Sequence, residues 1–221
     1  MEQDIIPSLV LGASFLALFG LSEWLYYGRS FPVELTRKIT HAGTGLLSLF
    51  FPLIFETFWS VLVLCAGFAV LLVISKKKGF LKSINSVGRK SYGSLLYPLS
   101  VFSCFLFCKL SKHGLVVFYL PILTLAISDP LAALVGRRFG VKDYRVLGHR
   151  KTYLGSFAFL ASAFLLACMA STLMGFGFLK LLLFSLIFGF VVTAIEAFSS
   201  RGWDNLTIPF AAVVVIVLFA T

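Results

Sequence analysis

The stretch that decides the fold runs over residues 128–156, SDPLAALVGRRFGVKDYRVLGHRKTYLGS. Asp129 follows the apolar run PILTLAIS and precedes PLAALV, which predicts an acidic side chain at membrane depth. An ionised group there costs at least ~2.5 kcal/mol unless it is paired or hydrated, so a carboxylate so placed marks a candidate site. Arg137, Arg138, Lys142, Arg145, Arg150 and Lys151 follow, bracketed by Gly136, Gly140, Gly148 and Gly155. Cations beside backbone N–H groups that glycine leaves approachable suit a polyphosphate.

Working outward, the whole chain shares this apolar character. At 59% hydrophobic and 13% charged it exceeds the roughly 45–50% apolar content of soluble domains. These values predict an all-α, polytopic integral membrane helix bundle, a single transmembrane domain over residues 1–221 whose length is best divided by the ~20 residues of a spanning helix. The net charge of +10 would suit nucleic acid in a soluble chain. Here the basic residues fall between apolar segments, where they encode topology, so the expected partner is the lipid bilayer and not nucleic acid. Cys65, Cys104, Cys108 and Cys168 all lie inside predicted spans and read as buried apolar side chains, with neither disulfide nor zinc spacing. The opening MEQDIIPSLVLG lacks the basic region of a cleaved signal, so the first span is expected to remain.

Apolar runs at roughly 5–27, 41–55, 57–74, 92–108, 114–135, 153–174, 178–198 and 206–220 predict eight helices, the second and last of them short. A tight hairpin around Glu56 leaves seven as the alternative, with runs two and three forming one re-entrant unit. Sixteen of the 19 Lys and Arg fall in segments after the odd-numbered runs: Arg29, Arg37 and Lys38; Lys76, Lys77, Lys78, Lys82, Arg89 and Lys90; the six of the opening stretch; and Arg201. Lys109, Lys112 and Lys180 fall on the other side. The positive-inside rule makes the richer side cytoplasmic, with loops at about 28–40, 75–91, 136–152 and 199–205 and both termini non-cytoplasmic.

Four further features bear on chemistry. In FPVELTRKITHAGTG, Glu34, Arg37, Lys38 and His41 share a helical face, either as an interfacial helix with snorkelling cations or as a phosphate-binding rim. KKKGFLKSINSVGRK reads as a topological anchor for anionic lipid, and His113 in SKHG as an exposed turn residue. Glu196 is a second acid inside a span, while Asp204 and Asn205 suit the start of the last helix. Asp129, Glu196, Asp204 and Asn205 are hard oxygen donors that suit Mg²⁺ carried by a nucleotide. Neither GxxxxGK[ST] nor GxGxxG occurs, and His149 reads as a loop residue.

The ordered set ELTRKITHAGTG, SDPLAALVGRRFG, RKTYLGS and IEAFSSRGWDNLTIP, spread from about residue 34 to 210, resembles the dolichol, phytol and yeast-type diacylglycerol kinases that use CTP. The resemblance implies transfer of a nucleotide γ-phosphoryl group to the hydroxyl of a membrane-embedded lipid alcohol, by positioning and charge neutralisation. It implies that Arg137, Arg138 and Lys151 hold the triphosphate, with Gly136, Gly140, Thr152, Gly155 and Ser156 completing a cradle at a helix start. Asp129 would bind Mg²⁺ or take the alcohol proton, and spacing leaves both roles open. Glu196, Asp204 and Asn205 would complete the metal shell or orient the alcohol, and Arg37, Lys38 and His41 would close the site.

Two other classes stand beside this one. GRRFG followed by RKTYLGS also resembles the phosphatidate cytidylyltransferases, which make CDP-diacylglycerol. However, Leu154 replaces the acid expected after Lys-Thr, and the long basic, glycine-rich ending is missing. A small ion or lipid transporter would need polar groups reaching across the bilayer, whereas all three acids map near one face. The 25 Phe could line a lipid groove, but bulky packing in a small bundle is the better explanation. A short chain of this kind suits a bacterial inner membrane, with the active site on the cytoplasmic side. The motifs leave the oligomeric state and the identity of the alcohol open.

Overall fold

The computed structural model describes residues 2–86 and 91–220. Arg89 and Lys90, counted above among the cytoplasmic cations, lie outside the described residues. A short 3-10 turn, Glu2–Asp4, leads into α1 (Ile5–Gly28). There follow α2 (Val33–Ser48), the single turn α3 (Phe51–Ile54), α4 (Phe58–Lys78), another single turn α5 (Lys82–Asn85) and α6 (Gly93–Leu110). Next come α7 (Val116–Leu123), a π-helical turn (Thr124–Ser128) and α8 (Asp129–Phe139), which form one continuous run. Strands β1 (Asp143–Val146) and β2 (His149–Thr152) then precede α9 (Tyr153–Leu173), α10 (Phe178–Phe198) and α11 (Asp204–Ala220).

The architecture is a polytopic membrane helix bundle. Among the described residues six helical runs are long and apolar enough to cross a membrane: α1, α4, α6, the run from α7 through α8, α9 and α10. The second and eighth runs, α2 with α3 and α11, are shorter, as their sequences anticipated. The bundle's outer surface is itself apolar, with Ile6, Val63, Leu165, Phe190 and Leu218 more than half exposed. Such a surface is stable only when lipid covers it.

Inside, phenylalanine fills the bundle. Phe105, Phe118, Phe159, Phe184 and Phe188 are wholly buried, and edge-on pairs such as Phe105–Phe118, with centroids 6.0 Å apart, place ring edges against ring faces. Where helices must approach closely, small residues take over: Ala163, Ala167 and Ser171 of α9 are buried, and Ser171 lies 3.4 Å from Ser185 of α10.

Three segments expected to be loops carry regular structure, and in 75–91 this is the end of α4 and the single turn α5. The 28–40 segment is helical from Val33, because Pro32 supplies the fixed φ that starts α2 and Glu34 lies in the first turn, complementing the helix dipole. The 136–152 segment extends α8 by one turn and then folds into an antiparallel hairpin, the one sheet among the described residues. Leu147 and Gly148, both at positive φ, form the two-residue turn that matches strand twist.

Candidate functional site

The site is assembled at one end of the bundle by segments remote in sequence. Helix α2 is fixed there by polar stitches: Thr36 donates to the Ser83 carbonyl (2.8 Å), the Ser83 N–H donates to Glu23 (2.8 Å), and Ser22 pairs with Thr40 (2.6 Å). The 3.6-residue period then turns Glu34, Arg37, Lys38 and His41 toward α8. The turn before α11 docks on α6, with the Tyr92 N–H donating to Arg201 O (2.8 Å) and Asn205 Nδ2 to Gly93 O (3.1 Å).

The π-helical turn explains the setting of Asp129. Pro130 has no N–H to return to the preceding turn, and a widened turn relieves the clash of its ring with the carbonyl four residues back. The Leu125 carbonyl is instead met by His41 Nε2 at 3.0 Å. A carbonyl oxygen can only accept, so Nε2 carries the proton in this contact. Asp129 itself is 5% exposed and accepts a hydrogen bond from Lys38 Nζ at 2.5 Å, with His41 Nε2 3.5 Å from the same oxygen. The cost of burying its charge is thus met by a buried cation.

A second buried pair faces the same space. Lys151, carried on β2, pairs with the Glu196 carboxylate and donates to the Glu196 carbonyl at 3.0 Å. The other carboxylate oxygen, Oε2, is buried and has no hydrogen-bond partner among the described residues. The hairpin that carries Lys151 is anchored at its base by Tyr144, whose hydroxyl is 2.5 Å from Ser156, and along its length by an Arg150–Asp143 ion pair.

Together these groups enclose a cavity of about 720 Å³. Six cations reach it, Arg37, Lys38, Arg137, Arg150, Lys151 and Arg201, against four acids, Glu34, Asp129, Glu196 and Asp204. The excess is positive, which suits a polyphosphate. Glu34 holds Arg37 at 2.8 Å and approaches Arg137 at 3.7 Å, so the two arginines that a phosphate would recruit lean on one carboxylate.

Of the expected site residues, Asp129, Lys151, Glu196, Arg137, Gly136, Gly140, Thr152, Gly155, Ser156, Arg37, Lys38, His41, Asp204 and Asn205 all line this cavity. Arg138 does not: one residue on from Arg137 it is rotated ~100° around α8 and lies exposed beside the Phe139 ring, 5.4 Å from its centroid. The glycines also serve close packing. A Cβ on Gly136 would lie 2.4 Å from Thr152 Oγ1, one on Gly140 2.3 Å from the Gly136 carbonyl, and one on Gly155 2.9 Å from the Ala132 carbonyl. Their missing side chains let α8 approach β2 and the start of α9, while the same glycines line the cavity. Thr152 caps α9 by accepting from Gly155 N–H at 3.1 Å.

Reasoning from sequence passed over Ser199, Ser200 and Gly202, which also line the cavity. Their signal is the short, polar SSRGWDN turn, in which two hydroxyls and a glycine stand beside the acid and amide.

Among the described residues no three His, Cys, Asp or Glu side chains converge to cage a metal. Asn205 donates from its amide nitrogen to Gly93 O at 3.1 Å, and Asp204 Oδ1 accepts from the Asn205 N–H at 3.0 Å, which commits neither Asn205 Oδ1 nor Asp204 Oδ2. The donors present still fit Mg²⁺ that arrives on phosphate, since that ion keeps waters and takes one or two carboxylates. The orphaned Glu196 Oε2 is such a donor.

The fold thus defines an integral membrane helix bundle with a charged cavity sunk into one end. No protein-family model matches the chain, and no solved structure matches it. It is 36% identical over 188 residues to the phytol kinase of Synechocystis sp., covering 83% of this chain and 78% of that protein. It is 25% identical over 236 residues to probable phytol kinase 2, chloroplastic, of Oryza sativa subsp. japonica, covering 97% and 76%. The chain belongs to the lipid-alcohol kinase family of the phytol kinases, and it is a membrane-embedded phosphotransferase.

Proposed function

We propose that the chain transfers the γ-phosphoryl group of CTP to the hydroxyl of a membrane-dissolved prenyl alcohol of the phytol type, releasing CDP and a lipid monophosphate. The observation that carries this reading is the buried Asp129–Lys38 pair facing a cation-rich cavity, a carboxylate set beside the groups that would bind phosphate. The phytol kinase relatives support the acceptor class, and the resemblance of the ordered motifs supports CTP.

Arg37, Arg137, Arg201 and Lys151 would bind the phosphates, taking over charge now shared with Glu34 and Glu196. Mg²⁺, held by Glu196 and Asp204 or Asp129, would supply neutralisation of charge on the phosphate oxygens. The alcohol oxygen forms its bond to the γ-phosphorus as the bond to the β–γ bridging oxygen breaks. Asp129 accepts the hydroxyl proton, and Lys38 with His41 holds that carboxylate in place and ionised. Eight membrane crossings, with the cation-rich end cytoplasmic and the termini opposite, would put the cavity where nucleotides are found.

The test is to incubate purified protein in lipid with Mg²⁺, γ-labelled CTP or ATP, and separately phytol, a polyprenol, diacylglycerol or phosphatidate. Label entering the lipid phase with CTP and phytol is the expected result. Pyrophosphate release with phosphatidate would instead establish cytidylyl transfer.

A further inference from the structure

A second cavity, of about 160 Å³, lies between α1, α2, α4 and α6, beside the phosphate site. Its wall is apolar: Phe15 and Phe19 of α1, Leu64, Phe68 and Leu72 of α4, and Val101 of α6. Phe15 and Phe19 both meet the Phe68 ring edge-on, with centroids 5.1 and 5.8 Å away. Leu64, Phe68 and Leu72 repeat every four residues and so form a stripe about 12 Å long down the helix. Leu64 and Phe68 are half-buried on a helix whose Val63 and Val70 are exposed on the bundle's outer surface.

The other end is polar and is shared. Arg37, His41 and Asn205 line both this channel and the charged cavity. Tyr97 fixes the junction, its hydroxyl donating to the His41 carbonyl at 3.1 Å and its ring meeting the imidazole edge-on at 4.5 Å. A molecule with an apolar tail and one polar end would therefore place that end beside Asp129's partners while its tail stayed among the phenylalanines. At about 160 Å³ the cavity is small, which favours one hydrocarbon chain over two.

We propose that this channel is the acceptor subsite, binding a single-chain lipid alcohol by its hydrocarbon tail and presenting its hydroxyl to the phosphate cavity at the Arg37–His41–Asn205 junction. The assignment rests on the kinase reading above. It adds that selection between one-chain and two-chain alcohols is made by α1, α4 and α6, away from the charged groups.

Two measurements test it. Wild-type protein in lipid is photolabelled with phytol bearing a terminal diazirine. Adducts should fall on Phe15–Phe19 and Leu64–Leu72 and be suppressed by excess phytol but not by diacylglycerol. Adducts spread over the outer faces of the helices, or unaffected by phytol, would overturn the proposal whether or not the protein shows turnover. Second, Leu64→Trp should narrow the channel and lower the ratio of kcat/KM for phytol to that for geraniol about tenfold, since a few methylenes of pocket contact carry that much discrimination. An unchanged ratio in a folded variant that phosphorylates both alcohols would remove the subsite and leave the kinase reading standing. Absence of phosphorylation with any alcohol, alongside phytol-protected labelling, would overturn the kinase reading alone.

Discussion

Lys38 Nζ lies 2.5 Å from Asp129 Oδ2, joining residues 91 positions apart through a contact buried at the mouth of the bundle. Each member is tolerable at that depth because of the other. Removing the carboxylate proton acceptor should stop catalysis, and removing the cation should threaten the fold.

Asp129→Asn keeps the shape and hydrogen-bonding capacity of the side chain but not its charge. Phosphoryl transfer should fall by about 10²–10⁴-fold, the usual contribution of a positioned general base, with the protein still folded and membrane-inserted. Turnover assayed beside a size-exclusion profile checks both halves, and near-normal turnover would remove Asp129 from the centre of the mechanism.

Lys38→Met leaves the Asp129 charge buried with only His41 beside it. Breaking such a pair costs about 3–5 kcal/mol, so thermal unfolding in detergent should shift well below wild type. The double variant Lys38→Met/Asp129→Leu should recover much of that loss while remaining inactive. Recovery separates the electrostatic cost from a packing defect.

Arg137 and Arg138 are neighbours in sequence with opposite expected behaviour. Arg137→Ala should raise the KM for nucleotide about tenfold or more, the scale of one lost charge-assisted hydrogen bond, while Arg138→Ala, at an exposed ring contact, should stay within about twofold. Equal effects would mean that α8 is rotated from the orientation described above.

Glu34 holds Arg37 and approaches Arg137 where phosphate is expected. Glu34→Gln should therefore lower the KM for nucleotide, because the arginines no longer exchange one anion for another, with little change in KM for the alcohol. A raised nucleotide KM would assign Glu34 to ligand binding instead.

At the far end of the bundle Asp4 gathers hydrogen bonds from Thr57 (2.7 Å), Ser60 (2.7 Å) and the backbone of Glu56 and Thr57. Burial works to raise its pKa, but these donors outweigh it and hold the carboxyl down at about 2. Its contribution to stability is present above the ordinary carboxylate pKa of ~3.9 and is lost as pH falls toward 2. Asp4→Asn should lower the unfolding temperature at neutral pH and narrow the gap to wild type as the medium is acidified.

The sequence alone settled what composition and local spacing control. The membrane-bundle class followed from apolar runs of spanning length, because lipid leaves a helix as the way to satisfy backbone groups. The shared face of Glu34, Arg37, Lys38 and His41 followed from helical periodicity, and Asp129 and Glu196 stood out because unpaired charge is costly among apolar neighbours. The pairings were decided by the tertiary structure. Nothing in local spacing shows that Lys38 meets Asp129 or that Lys151 meets Glu196, since these contacts depend on how α2, β2, α8 and α10 converge. The same convergence turns Arg138 outward, commits Gly136, Gly140 and Gly155 to close packing, and leaves a phenylalanine-walled channel beside the charged cavity. Periodicity fixes which residues share one helix face, but the face that meets another helix depends on the packing of the whole bundle.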